Sequence, residues 1–166
     1  MSSVFLHKQK DMKQFLFFSD NGWAGLILRL TVGFIMLPHG IQKMFGWFNG
    51  YGFRATIHFF TTIMKLPWLI SFAIIIIEFF GSLALLAGVG TRLFAFLFIV
   101  IMTSAIITTN YQHGLFMNWT GNQKGEGYEY HVLVIGICVA LLVSGGGNYS
   151  IDAMIVNAMR QGLWRQ

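Results

Sequence analysis

The sequence is poor in the residues that stabilise or solubilise a water-exposed protein. It has a single cysteine, Cys138, which excludes an intrachain disulfide and any metal site built from paired cysteines. Charged residues make up 10% of the 166 residues and apolar residues 55%, which excludes a disordered chain and disfavours a water-soluble domain. The formal net charge is +5, but no basic run is interleaved with aromatic residues on a polar surface, so we do not expect nucleic-acid binding.

The apolar residues are concentrated in four segments that predict membrane-spanning helices, over about residues 22–44, 67–88, 91–111 and 128–144. An α-helix rises about 1.5 Å per residue, so about 20 residues cross the roughly 30 Å hydrocarbon core of a bilayer. We therefore predict an all-α protein, an integral membrane four-helix bundle that forms one domain over residues 1–166. Its first partner is the lipid bilayer.

The connecting segments predict short interfacial helices and the orientation of the bundle. Residues 1–21 and 45–66 are interrupted runs of aromatic and basic residues, typical of segments that lie in the headgroup layer, whereas residues 113–127 are predicted to form a polar loop. Six basic residues lie in the termini and the 88–92 turn, against four in the two opposite loops. By the positive-inside rule, we expect both termini to be cytoplasmic.

The second predicted span carries one acid, Glu78, near its middle. A bare carboxylate at that depth costs several kcal/mol, so it must be protonated, paired or turned towards a wet cavity. At 100° per residue, Ser71, Glu78 and Ser82 share one face, with Gly81 beside it. Two interpretations remain open: a group that handles protons or binds a ligand, and a protonated side chain that only packs two helices together.

The first span carries a basic residue, Arg29, about two turns inside its apolar run. We expect Arg29 either to extend to the nearer membrane surface or to pair with Glu78. Arg92, at the start of the third span, is expected at a membrane surface. One face of the first span predicts close packing against another helix, since it collects Gly22, Gly25, Arg29, Gly33, Met36, Gly40 and Lys43.

With cytoplasmic termini, a group of titratable residues meets at the outer end of the bundle. It consists of His39, Lys43, His113, Glu126, Glu129 and His131. The spacing matches no metal-ligand motif, so we predict no metal site. We interpret the group as a polar, protonatable lid over an apolar bundle interior, which suits an amphipathic ring compound or a lipid.

Several motifs, taken in order, resemble the DoxX family of small four-helix membrane proteins. They are Leu28–Gly33, His39–Lys43 followed by Phe45 and Gly46, Glu78–Gly81, Gly88–Leu93, Gly127–His131 and Gly145–Asp152. The resemblance implies a protein of the prokaryotic cytoplasmic (inner) membrane. One branch of the family supplies the membrane subunit of a thiosulfate:quinone oxidoreductase. The family residues that match here are Arg29, His39, Lys43, Glu78, Arg92, Glu129 and Asp152.

The first functional hypothesis is a quinone-binding subunit of a membrane redox system, an oxidoreductase subunit that is not self-sufficient. Glu78 would donate protons, Arg29 would be its electrostatic partner, and His39 and His131 would relay protons to the surface. The predicted ligand-binding residues are Lys43, Glu129, Arg92 and Gly81. The chain has no haem or dinucleotide motif, so we expect no covalent cofactor. Electrons would come from a partner redox subunit or a soluble donor.

The second hypothesis is a non-enzymatic membrane module. It would be an assembly partner, or a carrier for a small hydrophobic or lipid-like molecule. Glu78 and Arg29 would then be buried specificity elements, and the glycine-rich face of the first span would be the interface with another protein. The residue chemistry alone does not separate this hypothesis from the redox subunit.

Overall fold

The computed structural model describes residues 22–160, and these residues form helices and loops with no strand among them. The helices are α1 (Trp23–Phe45), α2 (Gly52–His58, continued by a π-helical turn Phe59–Ile63), α3 (Trp68–Ala87), α4 (Thr91–His113), α5 (Glu129–Ser144) and α6 (Ile151–Arg160). The all-α prediction is confirmed. The interfacial segment predicted over residues 1–21 lies outside the described residues.

Four of the helices form the bundle. α1 packs against α3 and α5, and α4 packs against the same two helices, so α1 and α4 occupy opposite corners. The core between them is apolar and contains Val32, Met36, Leu85, Ala95, Phe98, Ile101, Met102, Val134, Cys138 and Leu141. The short helix α2 lies beside α1 and the first half of α3.

Three helices, α1, α3 and α4, are long and apolar enough to cross a membrane, with 23, 20 and 23 residues. α5 is also apolar but has 16 residues, or about 24 Å of helix. Large apolar side chains are exposed on the outer faces of the bundle, among them Phe34, Phe80, Phe96 and Leu133. Exposed apolar side chains of this kind suit contact with lipid chains.

The glycine-rich face of α1 brings the helices into close contact. A Cβ atom at Gly40 would lie 2.6 Å from the Cα of Phe79, and one at Gly33 would lie 2.8 Å from the Leu86 side chain. The predicted close packing of this face is therefore confirmed, and glycine is required because the α3 backbone occupies the space of a side chain at Gly40. Since the face is buried within the chain, its use as an interface with another protein is wrong.

The ends of α3 follow the local sequence signals. Pro67 directly precedes the first helical residue, and its carbonyl accepts the N–H of Ser71. At the other end, Gly88 and Gly90 adopt left-handed φ values of 70° and 57°. This turn reverses the chain within a few residues, so α4 runs back antiparallel to α3.

Candidate functional site

A partly buried ion pair joins α1 to α3. The Nζ atom of Lys43 lies 2.5 Å from Oε2 of Glu78, and the exposed fractions of the two side chains are 26% and 5%. The approach is possible because Gly40, one turn before Lys43, has no side chain and lies directly against the Glu78–Phe79 backbone. Glu78 is therefore paired, as expected for a carboxylate near the middle of an apolar helix. Its partner, however, is Lys43.

The backbone around Glu78 departs from a regular α-helix. Residues Ile77–Gly81 form a π-helical turn within α3, and Glu78 is its second residue. The Ser82 hydroxyl donates a hydrogen bond to the Glu78 carbonyl, which satisfies the serine within its own helix. Ser71 is satisfied in the same way by the Pro67 carbonyl. Single π-helical turns occur frequently at functional sites, since they change the direction in which a side chain points.

An aromatic and histidine group extends the ion pair towards α5. The rings of His39 and Tyr130 have their centroids 6.0 Å apart, and Tyr130 and His131 are 5.6 Å apart. The charges of Lys43 and Glu78 both act on the His39 imidazole, and the charge of Glu78 also acts on the Tyr130 phenol. We call His39, Lys43, Glu78, Tyr130 and His131 the Lys43–Glu78 site.

Two of these side chains have hydrogen-bonding capacity that is weakly used. Within residues 22–160, the Tyr130 hydroxyl donates only to the sulfur of Met36, at 3.3 Å. Among the described residues, the buried Nδ1 of His131 has no hydrogen-bond partner. A thioether is a weak acceptor, so the Tyr130 hydroxyl can exchange it for a stronger one. The Nδ1 of His131 is buried, so a bound molecule would reach it only after neighbouring side chains move.

Sequence reasoning singled out four of the five residues and missed Tyr130. A signal was present: Tyr130, Val134, Cys138 and Leu141 recur at helical spacing, and the last three are the buried residues of α5. Tyr130 thus continues the inward face of α5 by one turn. Its neighbours Glu129 and His131 drew attention because they are charged or titratable.

Arg29 does not pair with Glu78, which corrects the sequence prediction. Arg29 is 2% exposed, and its guanidinium donates hydrogen bonds to four backbone carbonyls, those of Leu85, Leu86, Gly146 and Tyr149. Leu85 and Leu86 lie in the last turn of α3, where the helix dipole is negative, and Gly146 and Tyr149 lie in the loop between α5 and α6. Arg29 therefore links the C-terminal end of α3 to the loop after α5, at the end of the bundle opposite Lys43.

Arg92 is also buried, so the expected contact with lipid headgroups is wrong, while its position at the level of a membrane surface stays a prediction. Its Nη2 atom donates to the Val143 carbonyl at 2.8 Å. Asp152, the first-turn acid of α6, accepts the backbone N–H groups of Gly90 and Thr91, each at 2.8 Å. Asp152 therefore caps α4, and its charge acts on both Arg29 and Arg92. These residues stabilise the bundle end and have no contact with the Lys43–Glu78 site.

The remaining predicted residues lie outside the Lys43–Glu78 site. Gly81 is buried against Phe94, since a Cβ there would lie 2.9 Å from that ring. Glu129 is exposed and accepts the N–H of Met117, and Glu126 accepts the N–H of Asn118. The His113 ring packs against Gly125. The predicted polar lid therefore divides in two: its histidine and lysine members from α1 and α5 join Glu78, while its other members organise the loop.

The site combines a carboxylate, an ammonium group, two imidazoles and a phenol at the boundary of an apolar bundle. Such groups hold and transfer protons and donate hydrogen bonds to carbonyl oxygens. Over residues 22–160, no three metal-ligating side chains lie close enough together to hold a metal ion.

Comparison with known proteins agrees with the helical architecture. The DoxX family model matches residues 24–111, which comprise α1 to α4 up to its last turn. A protein of Bacillus subtilis (strain 168) named "Putative oxidoreductase CatD" is 29% identical over 137 residues, which cover 82% of this chain and 90% of the relative. No solved structure gives a significant match. Because the family model covers more than half of the chain, this protein is a member of the DoxX family.

Proposed function

We propose that this protein is the membrane subunit of a redox system and binds a quinone at the Lys43–Glu78 site. The observation that carries the proposal is the partly buried Lys43–Glu78 ion pair, bordered by the weakly bonded Tyr130 hydroxyl and by the Nδ1 of His131, which has no partner among residues 22–160. Quinone carbonyl oxygens accept hydrogen bonds, and the quinone ring suits an apolar wall. Lys43 and Tyr130 are the donors best placed to meet such an oxygen.

The proton chemistry divides among the same residues. Reduction of a quinone to a quinol takes up two electrons and two protons. Glu78 is a carboxylate while it is paired with Lys43, so it relays protons: His39 and His131 pass protons from the membrane surface to Glu78, and Glu78 passes them on to the quinone oxygen. The electrons come from a partner redox protein or a soluble donor, since the sequence has no cysteine pair, haem motif or dinucleotide motif.

The name of the Bacillus subtilis relative supports a redox role, since that protein is called an oxidoreductase. Its name gives no substrate, so the quinone rests on the chemistry of the site. We further propose that the protein resides in the cytoplasmic membrane with both termini in the cytoplasm. The C-terminal end of α1, with Lys43, then lies on the outer side of the bundle and Arg29 on the cytoplasmic side.

The test is mass spectrometry of lipid extracts from the gently solubilised, purified protein. Wild type is compared with Glu78→Gln and with Glu126→Gln, a matched control in which an exposed carboxylate outside the site is neutralised. Circular dichroism first establishes that all three proteins are folded. We expect stoichiometric quinone in wild type and in Glu126→Gln, and its loss in Glu78→Gln.

If quinone in all three proteins equals its level in the bulk membrane, the proposal fails. That result favours the non-enzymatic module, in which the Lys43–Glu78 pair only fixes α1 against α3. Equal retention in wild type and Glu78→Gln places any quinone elsewhere and refutes the role of this site.

A further inference from the structure

The loop between α4 and α5, residues 114–128, presents apolar side chains outward. Trp119 is 86% exposed and Phe116 is 69% exposed, and Leu115 beside them is also exposed. The sequence predicts a polar loop here, for which we expect polar side chains on the outside and apolar side chains turned inward. A water-exposed loop gains nothing from three neighbouring apolar side chains on its surface.

The polar groups of the loop are turned towards each other. The Asn118 side chain donates to the Gln123 carbonyl and accepts the Gln123 N–H, at 3.1 and 3.0 Å. The carboxylates of Glu126 and Glu129 accept the N–H groups of Asn118 and Met117. Backbone groups that are satisfied in this way lose less when they leave water, which favours a position of the loop against the polar edge of a bilayer, outside its hydrocarbon core.

The loop folds back along the last turn of α4. Asn110 donates its side-chain amide to the Glu126 carbonyl at 2.9 Å, and the rings of Tyr111 and Tyr128 stack with centroids 6.4 Å apart. Gly127 lies so close to the Phe116 carbonyl that a Cβ would be 2.2 Å from it, so the two limbs of the loop touch. The loop is therefore a compact unit held beside a membrane helix.

The depth of this loop in the bilayer follows from the length of α4. Its 23 residues extend about 34 Å, slightly more than the roughly 30 Å hydrocarbon core. The last turn of α4, and the loop beside it, then lie at the boundary between the acyl chains and the headgroups. Tryptophan and phenylalanine are stabilised at this depth, and tryptophan especially because its ring is apolar and its N–H is polar.

We propose that residues 114–127 form a membrane-seated loop, with Leu115, Phe116 and Trp119 inserted at the acyl–headgroup boundary of a lipid bilayer. The exposed polar residues Asn122, Gln123 and Lys124 form the tip on the water side. The inference does not depend on quinone binding, since it rests on the loop's own hydrogen bonds, exposure and contact with α4.

The experiment measures the depth of Trp119 in phosphatidylcholine vesicles. The other four tryptophans are replaced by phenylalanine, and fluorescence quenching is measured with acyl-chain-brominated phosphatidylcholine and with water-soluble acrylamide. In the tryptophan-free background, Phe96→Trp is a lipid-facing reference on α4 and Asn122→Trp is a reference at the loop tip. We expect a blue-shifted Trp119 emission that brominated lipid quenches, as it does for Phe96→Trp, and that acrylamide quenches less than for Asn122→Trp.

The inference is overturned if acrylamide quenches Trp119 as fully as it quenches Asn122→Trp and brominated lipid has no effect. That result leaves the apolar patch open to a partner protein. A second measurement keeps all tryptophans in place. Phe116→Cys is combined with Cys138→Ala, because Cys138 is the single native cysteine, and carries a nitroxide label. The label should be more accessible to oxygen than to a water-soluble nickel chelate, and the reverse order overturns the inference.

Discussion

Replacement of Gly40 by alanine tests whether close backbone contact between α1 and α3 builds the Lys43–Glu78 site. The added Cβ would lie 2.6 Å from the Cα and 2.7 Å from the N of Phe79, and 2.9 Å from the carbonyl carbon of Glu78. All three are backbone atoms, so no side-chain rotation relieves the contacts. α1 and α3 must move apart by close to 1 Å, given that ordinary contacts of a Cβ begin at 3.4 Å.

The expected cost follows from two opposing effects. Inserting a methyl group into a well-packed contact costs about 1–3 kcal/mol. Alanine is favoured over glycine within a helix by roughly 0.5–1 kcal/mol, which offsets part of that cost. We therefore expect Gly40→Ala to lower the free energy of unfolding by about 1–2 kcal/mol. The same separation should lengthen the contact between Lys43 and Glu78.

Gly136 provides the matched control. It also lies within a helix, α5, but a Cβ added there would meet nothing within 4 Å. Gly136→Ala should therefore leave stability unchanged or raise it by up to about 1 kcal/mol. The assay is reversible unfolding of both variants and wild type in mixed detergent micelles, titrated with sodium dodecyl sulfate and followed by circular dichroism. Equal stability of Gly40→Ala and Gly136→Ala would refute the reasoning.

Two further predictions concern the charged residues inside the bundle. In a double-mutant cycle of unfolding free energies, Lys43→Gln and Glu78→Gln should show a coupling energy within the roughly 0.5–3 kcal/mol found for contacting residues. Purely additive effects would show that the ion pair contributes nothing to stability. Arg29→Lys should lower stability by about 1–3 kcal/mol, because a lysine has three donors for four carbonyls and leaves a buried acceptor unsatisfied. When Arg29→Lys and Glu78→Gln are combined, their losses of unfolding free energy should add to within about 0.5 kcal/mol, because the two residues are not in contact. Strong coupling between them would instead support the Arg29–Glu78 pair predicted from sequence.

The partner of Glu78 shows why the sequence alone did not reveal which residues of the site contact each other. Arg29 and Lys43 lie on the same face of α1, and both are cations that can neutralise a buried acid. Only the register of the two antiparallel helices decides between them. Gly40 fits against Phe79 and Gly33 fits against Leu86, which places Lys43 beside Glu78 and moves Arg29 to the far end of α3.

Arg29 and Arg92 illustrate a second kind of miss. A cation near the end of a span usually extends to water or pairs with an acid, and both sequence expectations followed that rule. Here backbone carbonyls in the last turns of helices accept the guanidinium groups directly, at Leu85 and Leu86 for Arg29 and at Val143 for Arg92. These acceptors are backbone atoms, which no residue pattern specifies.

The sequence by itself determined the helical class, the positions of the apolar helices and the place of Glu78 near the middle of one of them, because apolar length and helical periodicity act locally along the chain. It also singled out the titratable residues His39, Lys43 and His131. The tertiary structure decided which of these meet. Helix register paired Lys43 with Glu78, the inward face of α5 added Tyr130, and the helix ends took Arg29, because these contacts depend on how separate helices pack against one another.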